Sequence, residues 1–286
     1  MTLRVGTYNL LNGSGDRWQG QMEVLAGLQL DVLGLQEAKH WDRDDMARVY
    51  DTAWALGMQP LFAPSNNHGC HLVTLYREPR VRCRRFRAHA VSGAFHHTAS
   101  RAVLSIDGLD IRVLHTHLNP VDGDARLGEA RWLTEYAAPK HASLLIGDLN
   151  TVGLKCKAPD WTRFPRQLQS RHRLVRADGS YGGLDRRTMA ALIKAGFIDP
   201  PVQLHEPAQR TAGYWNKAEL WDHRSDYVLL SPAMAPALCT YEVVDTETTR
   251  ALSDHLPVVA TLNLDALQDL PRTGVLHPPR REPVAA

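Results

Sequence analysis

Apolar and polar positions change rhythm many times along this chain, and each change marks an element. Residues 2–9 read as a strand, the Gly/Asn/Ser stretch 12–16 as a loop, 17–28 as a helix and 32–36 as a second strand, so the chain opens strand–helix–strand. Spacing through Met46, Val49, Ala53 and Leu56 predicts a helix over 42–56 that stops at Gly57. Residues 71–76 and 102–106 read as strands, and Asp107-Gly108 between Ile106 and Ile111 is a strong hairpin signal. A strand over 111–117 and an amphipathic helix over 125–137 follow. The run Leu144-Leu145-Ile146-Gly147, closed by Asp148, predicts a strand buried on both faces. Residues 188–195 read as a helix ending at Gly196, and 227–230 and 256–260 as further strands. Between 151 and 183 no period is clear and Arg, Pro and Gly are frequent, which predicts a functional loop and not a domain boundary. The expectation is one domain over 1–265 and a disordered tail over 266–286, where prolines recur without apolar periodicity. Hairpins together with crossovers predict an α/β fold of two packed mixed sheets flanked by helices.

Polar chemistry gathers at the ends of these strands. Asn9 closes the first, Glu37 the second and His117 the strand over 111–117, while Asp148 and Asn150 follow the apolar run. Asp226 precedes the strand at 227, and Asp254-His255 precedes the last. Carboxylates, carboxamides and imidazoles on several strand edges suit metal-assisted hydrolysis, because a hard cation takes oxygen ligands and a sheet holds them rigidly. Each residue also has an ordinary reading. Asn9 and the Gly-Asp-x-Asn stretch are good turn chemistry, a lone Glu at a strand end is commonly solvated, and Asp226 or Asp254-His255 can serve as caps. His115 rivals His117, which is preferred for its place in Thr-His-Leu at the strand's end. His96, His97 and His223 are expected to be surface or loop residues.

Composition narrows the setting. The chain has 286 residues, 44% hydrophobic and 22% charged, with a formal net charge of +2, which suits an ordinary globular protein and does not announce a nucleic-acid binder. No apolar run approaches the roughly 20 residues of a membrane span, and the sequence reads as cytoplasmic, with no obligatory protein partner implied. Cys70, Cys83, Cys156 and Cys239 lack metal-ligand spacing and are expected as free thiols. Basic residues cluster at 80–87 and again at 163–173, where Trp161 and Phe164 are interleaved. Such clusters read either as a cationic rim for a phosphate-bearing substrate or as solvated surface.

The segments Thr7-Tyr8-Asn9, Leu35-Gln36-Glu37, Thr116-His117-Leu118, Gly147-Asp148-Leu149-Asn150, Ser225-Asp226-Tyr227 and Ser253-Asp254-His255-Leu256-Pro257 stand in the order seen in the endonuclease/exonuclease/phosphatase superfamily, which this chain resembles from residue 4 to about 262. The resemblance implies a four-layered α/β sandwich and a phosphoester hydrolase site dependent on Mg²⁺ or Mn²⁺. It implies Asn9, Glu37 and Asp254 as the metal region. Asp148 and Asn150 would align and deprotonate the attacking water, and His255, paired with Asp226, would stabilise the phosphoryl group with His117 on its other side. Arg101 and Arg126 match arginines of several branches and are expected at the substrate, as are Arg163 and Arg166 from the loop. The tyrosine-bearing segment of the abasic-site branch is replaced by Thr116-His117-Leu118-Asn119-Pro120, which argues against a dedicated abasic-site role. The expected substrate is a nucleic acid or nucleotide-like phosphodiester; the alternative is a small-molecule, lipid or inositol phosphate. A silent phosphate-binding module would have lost some of these positions, and all of them are present.

Overall fold

The computed structural model describes residues 1–215, 217, 221, 223–268, 270 and 271. In chain order the first elements are β1 (Thr2–Asn9), α1 (Trp18–Gly27), β2 (Val32–Gln36), α2 (Ala47–Leu56), β3 (Gln59–Ala63), β4 (Leu72–Tyr76), β5 (Val81–Arg87), β6 (Thr98–Ile106) and β7 (Leu109–His117). There follow α3 (Gly123–Leu133), β8 (Ser143–Asp148), β9 (Arg173–Val175), β10 (Tyr181–Leu184), α4 (Arg187–Ala195), α5 (Pro200–Gln203), β11 (Asp226–Leu230), β12 (Leu238–Val243), α6 (Glu247–Leu252) and β13 (Val258–Asn263). A six-stranded sheet runs β12-β13-β1-β2-β4-β3 and a five-stranded sheet β11-β8-β7-β6-β5, with β9 and β10 as a separate pair.

Strand periodicity builds the layers. On β8, Leu144 and Ile146 enter the core between the two sheets while Leu145 faces the helices outside; on β13, Val258, Ala260 and Leu262 face in and Val259 out. Helices α1 and α2 cover the six-stranded sheet through Met22, Leu25, Val49 and Ala53. Helices α3 and α4 cover the five-stranded sheet through Ala130, Leu133, Met189 and Leu192. The result is the expected helix–sheet–sheet–helix stack. Close sheet contact needs glycine: a Cβ on Gly34 would meet Ile146 Cδ1 at 2.8 Å and the His115 ring at 3.0 Å. Both Asp107 and Gly108 have positive φ, +51° and +81°, as the predicted hairpin turn demands.

Seven elements went unforeseen: β3, β5 within the basic run, the β9–β10 pair inside the expected loop, α5, β12 and α6. Strands β3 and β12 are both sheet edges with half-exposed residues, and β3 carries Pro60, which an edge tolerates. Helix α6 is short and opens with a Thr246–Thr249 capping box. The helix expected from residue 42 begins only at Ala47, because Asp44, Asp45 and Met46 have positive φ. Near the chain end, Leu264 and Leu267 are buried in the inter-sheet core and Leu270 packs on it. Residues 272–286 of the expected tail lie outside the described residues. Among the described residues no helix is long and apolar enough to cross a membrane, and all four cysteines are free.

Candidate active site at the strand ends

Register brings the polar strand ends together. Asp148 on β8 stands beside His117 of parallel β7 and beside Asp226 of antiparallel β11. Asn9 at the end of β1 lies level with Gln36, the residue before Glu37. Gly147 allows the approach of β7 to β8, since a Cβ there would lie 1.9 Å from the Thr116 carbonyl oxygen. The centre of the arrangement is Asp148, buried at 1% exposure. Its Oδ1 accepts from the Asn150 backbone N–H at 2.9 Å and from the Ser225 hydroxyl. Its Oδ2 accepts from Asn9 Nδ2 at 3.1 Å. The same Asn9 amide donates to Glu37 Oε1 at 3.2 Å, and the Asn12 N–H donates to Glu37 Oε2 at 2.8 Å. Ser253 donates to the Asn9 carbonyl at 2.9 Å, which ties the Asp254–His255 turn to β1.

Two imidazoles aim at Asp148 Oδ2 without closing on it, His117 Nε2 at 3.5 Å and His255 Nε2 at 3.9 Å. His255 is fixed from behind, where Nδ1 donates to Asp226 Oδ2 at 2.8 Å. The Thr211 hydroxyl donates to that same oxygen at 2.6 Å. Burial alone would pull His255 down, but the Asp226 and Asp148 carboxylates outweigh it and hold the ring well above the usual imidazole range. Burial pushes the Asp226 carboxyl up to about 6, with Asp148 adding to the rise against the pull of His255. Two carboxylates face this one ring, and together they favour the imidazolium. Asp148 is just as buried, yet the charges of His255 and His117 and the bonds from Ser225 and Asn150 hold its carboxyl below the usual range. Burial raises Asp254, and its neighbours Glu37 and Asp148 raise it further against the pull of His255.

Backbone strain sits here as well. Glu37 and Asn150 have φ of +56° and +46°, a region uncommon for residues other than glycine, and Glu37 lacks the tolerance of Asn for it. Each is held by surrounding bonds: Gly13 N–H donates to the Glu37 carbonyl at 2.8 Å, and Asn150 Nδ2 donates to the Leu118 carbonyl at 2.9 Å. Asp148, Asp226 and His255 each offer an atom within 4.8 Å of the others, a spacing suited to a metal ion. His255 Nδ1 is already engaged by Asp226, however, and a protonated imidazole cannot ligate.

The structure thus brings together Asn9, Glu37, His117, Asp148, Asn150, Asp226, Asp254 and His255. Among the described residues, none of the four arginines hydrogen-bonds to this cluster. Arg101 sits on the outer face of β6 and donates to the Tyr136 phenol at 2.9 Å. Arg126 is buried and spans two loops, donating to the Asn119 and Arg171 carbonyls at 2.8 Å each. Arg163 and Arg166 are exposed on the 151–183 loop. Phe164 is buried with Val152, Leu184 and Trp221 in a small core of that loop, so it belongs neither to a cationic rim nor to solvated surface. His115 lies between the sheets, contacting Gln36 Nε2 at 2.6 Å and Thr74 Oγ1 at 2.9 Å, and burial lowers it to about 3. His97, expected at the surface, is buried and stacks on His117 at 4.5 Å. The sequence alone assigns no role to Ser225 or Thr211 and puts His97 at the surface. Ser225 stands in a quoted motif, but Thr211 lies in a stretch with no period and reaches the site through isolated bridges of Ala212 to His223 and His255.

A comparison with curated proteins finds no match. Solved structures share the fold. An AP endonuclease from Archaeoglobus fulgidus is 20% identical with a TM-score of 0.67, over 91% of this chain and 99% of that one. The 3′ phosphatase NExo from Neisseria, bound to product DNA hairpin, is 19% identical with a TM-score of 0.65, over 91% and 99%. A mannosyl-6-phosphatase from Bacteroides thetaiotaomicron is 16% identical with a TM-score of 0.63, over 90% and 98%. The model of the Endonuclease/Exonuclease/phosphatase family matches residues 6–255, a span that contains every residue of the cluster. The chain belongs to that family of phosphoester hydrolases.

Proposed function

We propose that this protein is a divalent-metal-dependent phosphodiesterase whose substrate is a nucleic acid or nucleotide-like diester. The observation that carries the reading is the convergence of His117 and His255 on Asp148 Oδ2 at 3.5 and 3.9 Å, which directs two ring nitrogens toward one carboxylate oxygen. His255, kept protonated by Asp226, donates from Nε2 to an oxygen that gains charge in the transition state, and His117 approaches the same group from the other side. Asp148 accepts a hydrogen bond from the attacking water and aligns it, with Asn150 beside it. The lowered value of Asp148 makes it a better aligner than base.

Glu37, Asn9 and Asp254 would hold the metal. The fit is chemical: Asp254 is raised in part by Glu37 and Asp148, so oxygen donors crowd one another without a cation between them. Bound there, Mg²⁺ or Mn²⁺ would polarise the phosphoryl group and neutralise charge. Residues 1–265 are read as one catalytic domain. Free thiols suit a reducing, cytoplasmic setting.

The nucleic-acid reading draws on the exposed Arg163 and Arg166 and on similarity to the solved structures of an AP endonuclease and a DNA-bound phosphatase. The mannosyl-6-phosphatase keeps a small phosphoester as the second reading. The test compares plasmid DNA, an aryl phosphodiester and sugar phosphates, each with Mg²⁺ and with EDTA. Chelation should abolish hydrolysis, and Glu37→Ala should raise the Mg²⁺ needed for half-maximal rate at least tenfold. Hydrolysis that survives EDTA would refute the metal assignment. Cleavage of sugar phosphates alone would refute the nucleic-acid reading.

A further inference from the structure

A cavity of about 530 Å³ opens on the outer face of the five-stranded sheet, away from the strand ends that hold the catalytic cluster. Parity along β7 separates the two. Ile111 and Val113 face the inter-sheet core, so Asp110 and Arg112 face out, on the side away from His115. The helix layer of α3 and α4 covers Ala99 and Leu114 on this outer face and ends near Tyr136, to which Arg101 is bonded. Below that point, among the described residues, no helix covers the sheet, and Leu270 and Pro271 line the cavity's edge.

Five cations line the opening: Arg84 and Arg85 from the edge strand β5, Arg101 from β6, Arg112 from β7, and Lys140 from the turn before β8. Asp110 is the one carboxylate among the described lining residues, whose net charge is near +4. Among the described residues, the side chains of Arg84, Arg85, Arg112 and Lys140 make no hydrogen bond or ion pair, whereas Arg80 at the start of the same basic run is paired with Asp31 and Asp107. Like charges gathered in a concave surface over the apolar side chain of Val103 repel one another, and an anion relieves that repulsion.

We infer that this cavity binds a small soluble anion with two or more adjoining phosphate groups, such as inorganic tripolyphosphate or the polyphosphate of a nucleotide. Charge and size select this class. A single phosphomonoester brings about −1.5 to −2, which leaves much of the cavity's charge unbalanced. A phosphodiester strand brings one charge per phosphate with a sugar between, whereas a polyphosphate concentrates several on adjoining groups. The volume falls within the roughly 300–1,000 Å³ of small-ligand pockets. The site goes beyond the hydrolytic reading and does not depend on it.

The test is calorimetric titration of inorganic tripolyphosphate into the full-length, metal-free protein at constant ionic strength. One site is expected. Its Kd should rise at least tenfold in Arg84→Ala/Arg112→Ala and severalfold in Lys140→Ala, and stay unchanged in Asn150→Ala. Arg84→Ala and Lys140→Ala alter exposed side chains, so they remain informative if the double variant misfolds. Absence of saturable heat would overturn the inference. So would binding that Asn150→Ala abolishes and Arg84→Ala spares, which would mean that the probe sits in the catalytic cluster. Equal heats with sulfate would reduce the effect to screening. A single-stranded oligonucleotide that binds as tightly, with the same dependence on Arg84, would make the face a strand-docking surface instead.

Discussion

The two ends of β7 carry opposite electrostatic arrangements. At its C-terminal end, His117 joins a knot in which Asp148 takes hydrogen bonds from Asn9, Asn150 and Ser225, and Asp226 takes them from His255 and Thr211. At its N-terminal end, Arg112 shares a cavity with four other cations and a single carboxylate. The knot is buried and cross-linked between strands from both sheets, so each charge there has partners that its loss would leave unsatisfied. The cavity is open and its charges are unmatched, so each is poised for something outside the chain. Deleting a group should therefore have opposite consequences for stability in the two regions.

The largest effect is expected from His255→Ala. It removes the one imidazole that two carboxylates keep charged, a group placed to meet developing negative charge. The rate of phosphodiester cleavage should fall by about 10²- to 10³-fold, carried mainly by kcat. Circular dichroism and a urea titration check that the variant is folded, and a rate within threefold of the parent would remove His255 from the chemistry. Some destabilisation should accompany the loss, because Asp226 is left buried without its main partner.

A smaller change separates support from chemistry. Thr211→Val keeps the shape of the side chain but withdraws the hydroxyl that donates to Asp226 Oδ2 at 2.6 Å and accepts from the N–H groups of Ser225 and Asp226 at 3.0 Å. These are buried partners, so about 1–3 kcal/mol of stability should be lost, read as a lower urea midpoint at unchanged slope. A stability equal to the parent's would mean that the knot does not need its support from this loop.

How much of this was legible in the residues follows from burial. β8 announced itself because a strand covered on both faces is apolar at every position, and the abrupt Gly147-Asp148 marked where it ends. The motif residues sit at such ends, so Asn9, Glu37, Asp148, Asp226 and His255 could be named before their neighbours were known. The edge strands β3 and β12 have one open side and a mixed composition, and they gave no such signal. Thr211 and His97 act through contacts made only when distant loops meet, which no local pattern records. Arg101 shows a further limit. Alternation along β6 divides its residues between two faces, but only the placement of the second sheet and the helices decides which face is the outer one, and Arg101 falls there. Phe164 shows the same limit in a loop, where an aromatic among arginines turned out to be a core residue and not a contact surface.

The finest test of the contrast is Arg112→Gln. Glutamine keeps most of the aliphatic stem that lies along the sheet, so the change isolates the charge. In the knot, losing a charge leaves a partner unsatisfied; in the cavity it only thins a crowd of like charges. Stability should hold or rise by up to about 0.5 kcal/mol in dilute buffer, since no hydrogen bond or ion pair of Arg112 is broken among the described residues. Salt supplies the control. At 1 M ionic strength the screening length falls to about 3 Å, shorter than the separations across an open cavity, and the difference between parent and variant should vanish. Paired urea titrations at low and high salt measure both quantities. A loss above about 1 kcal/mol that persists at high salt would show Arg112 to be a structural anchor, and the two ends of β7 would then differ in sign of charge but not in kind.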